Sequence, residues 1–268
     1  MKLLGSAQIV VARRISQLER RKHALRNLAL FGQQVRRYLA SIEALRNAWH
    51  FAIALRGEMH WRSYSQSQFA EYIATHADDL WGYSTWAAAW NEQRFTAAIE
   101  MLSERGRNFE RAWEIGCAQG AMTERLAPLC KQLLAVDFVP VALERARARC
   151  HGGNISFARW DLKADPVAGH NFFDLIVITD VLASFGGRRD IRRVSDKLVT
   201  ALAPGGYLLY GDVIGDRVTQ RLQNSWLGRL LLFRPSKILR IIAAHPSLVQ
   251  VARRNTERHL LAVFQKRR

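Results

Sequence analysis

The residues best suited to chemistry lie in one glycine-rich turn and in three carboxylates downstream of it. Trp113-Glu114-Ile115-Gly116-Cys117-Ala118-Gln119-Gly120 closes a short apolar run. Gly116 and Gly120 permit a tight turn and let a ligand approach the backbone closely. A helix starting near Ala121 would turn its first N–H groups toward an anionic group there. Asp137, next to Phe138, ends the following apolar run roughly 20 residues past Gly116, where an acidic side chain accepts hydrogen bonds from the ribose of an adenosine cofactor. Asp161 follows the third such run in Trp160-Asp161-Leu162, where a carboxylate can accept from an adenine amino group while Trp160 or Leu162 flanks the ring.

The turn and Asp137 alone would also suit a nicotinamide dinucleotide. The turn is Gly-x-Ala-x-Gly, however, which degrades the spacing that cradles a pyrophosphate, and no Tyr-x-x-x-Lys proton relay stands downstream. S-adenosylmethionine (SAM) fits the set better, with its methionine carboxylate at the helix start. The expected cofactor-binding residues are Glu114, Gly116, Cys117, Ala118, Gly120, Asp137, Phe138, Trp160, Asp161, Leu162 and Asp180. Cys117 need only be small, and nothing marks it as a nucleophile.

SAM is already activated, so the protein must align a nucleophile with the methyl group and exclude water. An amine must be neutral, and a hydroxyl partly deprotonated, at the moment of attack, which invites a base. Asp180, at the carboxyl end of Phe173–Thr179, is the candidate catalytic base; a cofactor-orienting or loop-capping carboxylate is the alternative. Trp81, Tyr83, Trp86 and Arg94 are the candidate acceptor-binding residues. The aromatics could stack on a sugar or cover the sulfonium, and Arg94 could anchor an acidic group, although packing and plain surface exposure compete for these types.

Such residues need a frame. Apolar runs at Ala112–Ile115, Leu133–Val136, Ile155–Ala158, Phe173–Thr179 and Tyr207–Tyr210 alternate with helical patterns. That rhythm predicts βαβ units and a doubly wound α/β fold with a mainly parallel seven-stranded sheet. Leu202-Ala203-Pro204-Gly205-Gly206 reads as the turn into the fifth strand. Leu248–Ala252 and His259–Phe264, separated by Arg-Arg-Asn-Thr-Glu-Arg, read as an antiparallel C-terminal hairpin. Residues 109–268 are expected to form the SAM-binding domain. Residues 57–108, rich in aromatics and ending in a helix from about Trp86 to Ser103, read as a lid segment. Residues 1–56 read as a basic helical extension, with Val35, Leu39, Ile42, Leu45 and Trp49 as its apolar stripe.

The chain has 268 residues, 49% hydrophobic and 24% charged, so it can bury a core and is not disordered. Three cysteines and no Cys-x-x-Cys pair speak against a disulfide framework and a zinc site, and no metal is expected. No apolar run reaches the roughly 18 residues of a spanning helix, and the short N-terminal apolar stretch runs into Arg13 and Arg14 without a cleavage pattern. A cytoplasmic protein is expected. The net charge of +17 is uneven, with twelve Lys and Arg against three Glu up to residue 62. Such a surface attracts polyanions or acidic lipid, so peripheral contact of the basic helices with the inner membrane face is one expectation and an ordinary solvated face the other. The apolar, Arg-flanked stretch Ser225–Pro235 reads as a helix on the sheet or a second membrane contact. A nucleic-acid acceptor is not expected, since no Asn-Pro-Pro-aromatic signature follows the fourth strand.

The set EIGCAQG, AVD, WDL, FDLIVITDVL and LAPGG, in this order, resembles a class I SAM-dependent methyltransferase from about Phe109 onward. Glu114 to Pro128, with Asp79-x-Trp81-Gly82-Tyr83 and Trp90-x-x-x-Arg94-Phe95 upstream, is similar to the NodS-like nodulation methyltransferases. That group carries Ser-Glu-Val followed by aromatics after the fourth strand, where this chain has Thr179-Asp180-Val181. The resemblance implies methyl transfer to an amino group of a small-molecule acceptor, a glycan or lipid-linked sugar; the residues alone leave N- and O-methylation open. A non-catalytic SAM-binding protein acting through its basic extension is the alternative from another class, and the intact Gly116, Gly120, Asp137 and Asp161 set speaks against it.

Overall fold

The stretch Leu175–Ile178 within Phe173–Thr179 is apolar throughout because it is buried on both sides, as a central parallel strand must be. The strand's side chains alternate between two cores: Phe173, Ile176 and Ile178 enter one, Leu175 and Val177 the other. The computed structural model describes Glu71, Tyr83 and residues 87–106, 108–185, 187–214 and 235–268, all within Ile53–Arg268, the larger of two units into which the chain divides. The expected extension 1–56, the candidates Trp81 and Trp86, and residues 225–234 of the Arg-flanked stretch lie outside the described residues.

In chain order the elements are α1 (Ala88–Ser103), β1 (Phe109–Ile115), α2 (Ala121–Leu126), β2 (Cys130–Asp137), α3 (Pro140–Arg149), β3 (Ile155–Arg159), β4 (Phe173–Thr179), α4 (Arg188–Ala201), β5 (Leu202–Val213), α5 (Pro235–Ala243), β6 (Leu248–Asn255) and β7 (His259–Lys266). The seven strands form one sheet in the order β3-β2-β1-β4-β5-β7-β6, parallel up to β5 and antiparallel where β7 meets β5 and β6. The expected doubly wound sheet with an antiparallel C-terminal hairpin is therefore present, with β7 inserted between β5 and β6.

Each layer follows from its helix pattern. On α4, Ile191, Val194, Leu198 and Val199 are buried at steps of three, four and one, and with α5 they cover the face holding Trp113, Ile178 and Tyr210. On α1, Phe95, Ala98, Met101 and Leu102 cover the opposite face. Asp174 ties the start of β4 to that of β1, its carboxylate accepting the N–H groups of Glu110 (2.7 Å) and Arg111 (2.9 Å).

Several strands run past their apolar cores, β1 and β2 each starting three residues earlier than read, and two further boundaries have a structural cause. The strand pairing of Leu202-Ala203-Pro204-Gly205-Gly206 begins already at Leu202, opposite Phe173, and then bulges so that Tyr207 faces Leu175; Gly205 takes φ +80° there. The charged Arg253-Arg254-Asn255 belongs to β6 rather than to the turn, which shrinks to three residues. On an edge strand, charged side chains can project outward and block further pairing without breaking the ladder.

Candidate active site

The carboxyl ends of β1, β2, β4 and β5 bring Glu114, Asp137, Asp180 and Asp212 to one edge of the sheet, at the switch point where parallel α/β sheets bind ligands. α1 lowers Arg94 onto this edge. Arg94 is the one buried Lys or Arg among the described residues, at 4% exposure. It pairs with Asp180, donates to Asn91 Oδ1 (2.9 Å), and hydrogen-bonds the Tyr83 hydroxyl. Burial lowers its pKa, opposed by Tyr83, Asp212 and Glu114. Burial likewise raises the Tyr83 phenol, with Arg94 opposing, and the Tyr83 ring leans on Phe95 at 5.9 Å. The ordinary surface position that an arginine in a helix suggests is thus not where Arg94 stands.

The glycine-rich turn is built from left-handed residues: Gly116 (φ +75°), Ala118 (+47°) and Gly120 (+79°). The room at Gly116 serves the protein itself, since a Cβ there would meet Val181 Cγ2 at 2.4 Å; at Gly120 it would meet Cys150 Sγ at 2.9 Å. The first glycine lets the β4 loop close over the turn, and the second lets α3 approach. α2 is only six residues long, so its dipole is a small contribution. Cys117 is buried and its thiol is pushed well above the ordinary range by burial, in keeping with a packing role.

Asp137 closes the turn. Its Oδ2 accepts the Ala118 N–H (3.0 Å) and its Oδ1 the Val139 N–H (3.0 Å), while burial raises its pKa against those two bonds and one from Phe138. A carboxylate has about four acceptor positions, so with these three occupied one remains for a ligand hydroxyl. Glu114, 3% exposed, has Oε2 buried without a partner. Burial pushes its carboxyl up to about 7, opposed by the Thr123 hydroxyl, reinforced by Asp137 and opposed again by Arg94.

The third acidic position is organised more locally. Asp161 Oδ1 accepts the Lys163 N–H (2.8 Å), and Asp165 accepts the Asp161 N–H (2.7 Å). Trp160 stands edge-on to Trp113 at 4.7 Å and its indole donates to Pro166 O (3.2 Å), whereas Leu162 is 5% exposed in the core. Of the two, Trp160 is the one left half-exposed beside Asp161, and Phe138 is half-buried after Asp137.

Asp180 has φ +57°, a conformation most residues avoid. Its N–H donates to Gly211 O (2.9 Å), its Oδ2 faces Arg94, and its Oδ1 is buried without a partner. Two neighbours were not singled out in the sequence. Asp212, 2% exposed, accepts from the Tyr210 hydroxyl (3.2 Å) and the Val213 N–H (3.0 Å). His259, 5% exposed, places Nε2 3.8 Å from Asp180 Oδ2. That is too long for a hydrogen bond, and burial, then Arg94 and Arg258, push the imidazole down to about 3, so it is neutral. Among the described residues, no group of three or more His, Cys, Asp or Glu side chains could hold a metal ion, and no helix is long and apolar enough to cross a membrane.

The strand order, the turn and the acidic edge define a class I methyltransferase fold. The model of the nodulation protein S (NodS) family matches residues 71–244, and the chain belongs to that family. It is 37% identical over 121 residues to nodulation protein S of Rhizobium tropici, covering 45% of this chain and 50% of that one. It is also 37% identical over 145 residues to nodulation protein S of Bradyrhizobium diazoefficiens, covering 54% and 66%. The match thus spans half to two thirds of those relatives' own length. The crystal structure of N-methyltransferase NodS from Bradyrhizobium japonicum, in complex with S-adenosyl-L-homocysteine (SAH), superposes with a TM-score of 0.60 at 30% identity, covering 74% of this chain and 97% of that one.

Proposed function

We propose that this protein is a SAM-dependent N-methyltransferase whose acceptor is a primary amine on an amino sugar or oligosaccharide. One observation carries the reading: four carboxylates, Glu114, Asp137, Asp180 and Asp212, share an edge with a single buried guanidinium, Arg94. Such an excess of negative charge suits cationic ligands, and a sulfonium donor and an amine that arrives as its ammonium are two of them. A carboxylate or phosphate acceptor would be repelled.

The residues present fit SAM. Glu114 Oε2, buried and unpartnered, suits the methionyl ammonium. Asp137 keeps an acceptor position for a ribose hydroxyl, and Asp161 with Trp160 borders the place of the adenine. Bound there, SAM supplies a methyl group on a leaving thioether. The chain's own work is to orient the amine and strip water from it. Asp180, held by Arg94, offers Oδ1 to an amine N–H and draws the amine to the donor's side. Asp180, paired with Arg94, acts first as an anchor and then as a place to which a proton can pass.

A relative that is an N-methyltransferase by name, solved on its own and in complex with SAH, supports the reaction class. The experiment is to follow SAH formation with the glucosamine tetramer and with its fully N-acetylated counterpart. Turnover with the free amine alone is expected; turnover with both, or with neither in a protein that binds SAH, contradicts the acceptor class.

A further inference from the structure

The loop that carries Asp161 is held by an ammonium from another layer. Residues 160–172, between β3 and β4, form neither helix nor strand, so their backbone groups must find partners one by one. Side chains of the loop supply several. Asp161 Oδ1 accepts the Lys163 N–H (2.8 Å), Asp165 Oδ2 accepts the Asp161 N–H (2.7 Å), and the Trp160 indole donates to Pro166 O (3.2 Å). These bonds lie within the loop and shape it, but they do not fasten it to the sheet. Upstream of Asp161 the Trp160 N–H does so, donating to Asp137 O (3.1 Å). Downstream, Leu162 packs in the core, and Lys197 of α4 donates from Nζ to Leu162 O (3.0 Å), Lys163 O (3.3 Å) and Asp165 O (2.6 Å).

An ammonium has three N–H donors, and at Lys197 each has a carbonyl within reach. The other basic residues of α4, Arg188, Arg189, Arg192 and Arg193, are exposed, whereas Lys197 is half-buried against this loop. The bond to Leu162 O matters most, because one planar peptide joins that oxygen to the Lys163 N–H. Lys197 holds the oxygen of this peptide, and the N–H of the same peptide is aimed at Asp161 Oδ1. A cation on the carbonyl also polarises the peptide and strengthens its N–H as a donor. The ammonium thus acts on the Asp161 carboxylate through a single peptide unit.

We propose that Lys197 is a positioning residue for cofactor recognition: by fixing the Leu162–Lys163 peptide it aims the Asp161 carboxylate at the adenine amino group. This inference rests on the reading of Asp161 as the adenine's acceptor. Without Lys197 the carbonyls of Leu162, Lys163 and Asp165 lose their shared donor, the peptide can rotate, and Asp161 loses the N–H that orients it. The carboxylate is still present but no longer held where the amino group arrives. The loss falls on the adenine and spares the rest of the cofactor, because Asp137 and Glu114 are held by partners of their own, Ala118 and Val139 for the one and Thr123 for the other.

The test is calorimetric titration of the full chain with SAH and with an SAH analogue carrying purine in place of adenine, which lacks only the amino group. Wild type should prefer SAH by about tenfold or more, as one hydrogen bond to a charged group implies. Lys197→Met, which keeps an apolar stem without a donor, should bind SAH about tenfold more weakly and the analogue as wild type does, so that the preference is lost. In an Asp161→Ala chain, Lys197→Met should weaken SAH binding no further. If the Met variant does not fold, judged by its melting curve, Lys197→Gln takes its place with the same expectation, since its shorter amide cannot serve all the carbonyls. A variant that keeps the preference, or that weakens both ligands equally, overturns the role of Lys197 alone. A wild type that binds both ligands alike overturns the reading of Asp161, and this inference with it.

Discussion

Arg94 of α1 is buried against Asp180, the first residue after β4, so that an element upstream of the sheet supplies the cation for its acidic edge. Replacing Arg94 with Met leaves Asp180 without its partner. The Asp180 side chain keeps 29% exposure, so the cost should fall below that of breaking a fully buried pair, about 1–3 kcal/mol. Urea unfolding checks the stability. Turnover should fall further than stability explains, because the loop that presents Asp180 Oδ1 loses its anchor.

Asp137 predicts a binding result. Asp137→Ala removes a carboxylate that both closes the turn through Ala118 and Val139 and faces the expected ribose. Loss of two charge-assisted hydrogen bonds corresponds to about a hundredfold weaker SAM and SAH binding. Calorimetry on a variant shown to be folded by its melting curve provides the check.

Glu114 predicts a pH dependence whose sign follows from its raised pKa of about 7. In the unfolded chain a Glu titrates near 4.3. The native state therefore holds the proton more tightly, and the contribution of Glu114 to stability is present below about pH 4.3 and is lost as pH rises through 7. Glu114→Gln should remove that loss and be more stable relative to wild type at pH 8 than at pH 4, by about 3 kcal/mol. Denaturation curves at the two pH values measure it. Pairing of Glu114 with the methionyl ammonium should also release a proton when SAH binds at pH 6, visible as a buffer-dependent calorimetric enthalpy.

Gly116→Ala places a side chain at φ +75° and against Val181 Cγ2. The left-handed conformation alone costs about 1–2 kcal/mol, and overpacking costs about 1–3 kcal/mol more. Trimming Val181 to Ala in the same chain should recover the packing part and leave the conformational part. A double-mutant cycle on melting and turnover separates the two.

Much of this frame was legible in the sequence, for reasons the structure makes plain. Leu175–Ile178 is buried on both faces, so the middle of Phe173–Thr179 is an unbroken apolar run, and the strand's span is as expected. Asp137 and Asp180 interrupt such runs at their carboxyl ends, which is where a doubly wound sheet binds ligands. What was hidden depends on tertiary contact. Arg94 looks like any helical arginine until β4 delivers Asp180 to it. His259 opens an apolar strand, and Asp212 ends another, so neither stands out by spacing; only the antiparallel return of β7 beside β5 brings His259 next to Asp180. The space freed at Gly116 is filled by Val181, 65 residues downstream. The bulge after Leu202 and the charged end of β6 are edge and register effects that local residue types do not express.

The central claim is that the acidic edge methylates an amine held by Asp180. The most direct measurement uses SAM labelled with carbon-13 at its methyl group, the glucosamine tetramer as acceptor, and wild type beside Asp180→Asn. Carbon NMR of the purified sugar should show an N-methyl signal with wild type, and a rate lower by about a hundredfold or more with the variant. An O-methyl signal, or an N-methyl signal appearing at the same rate in both proteins, would contradict the account.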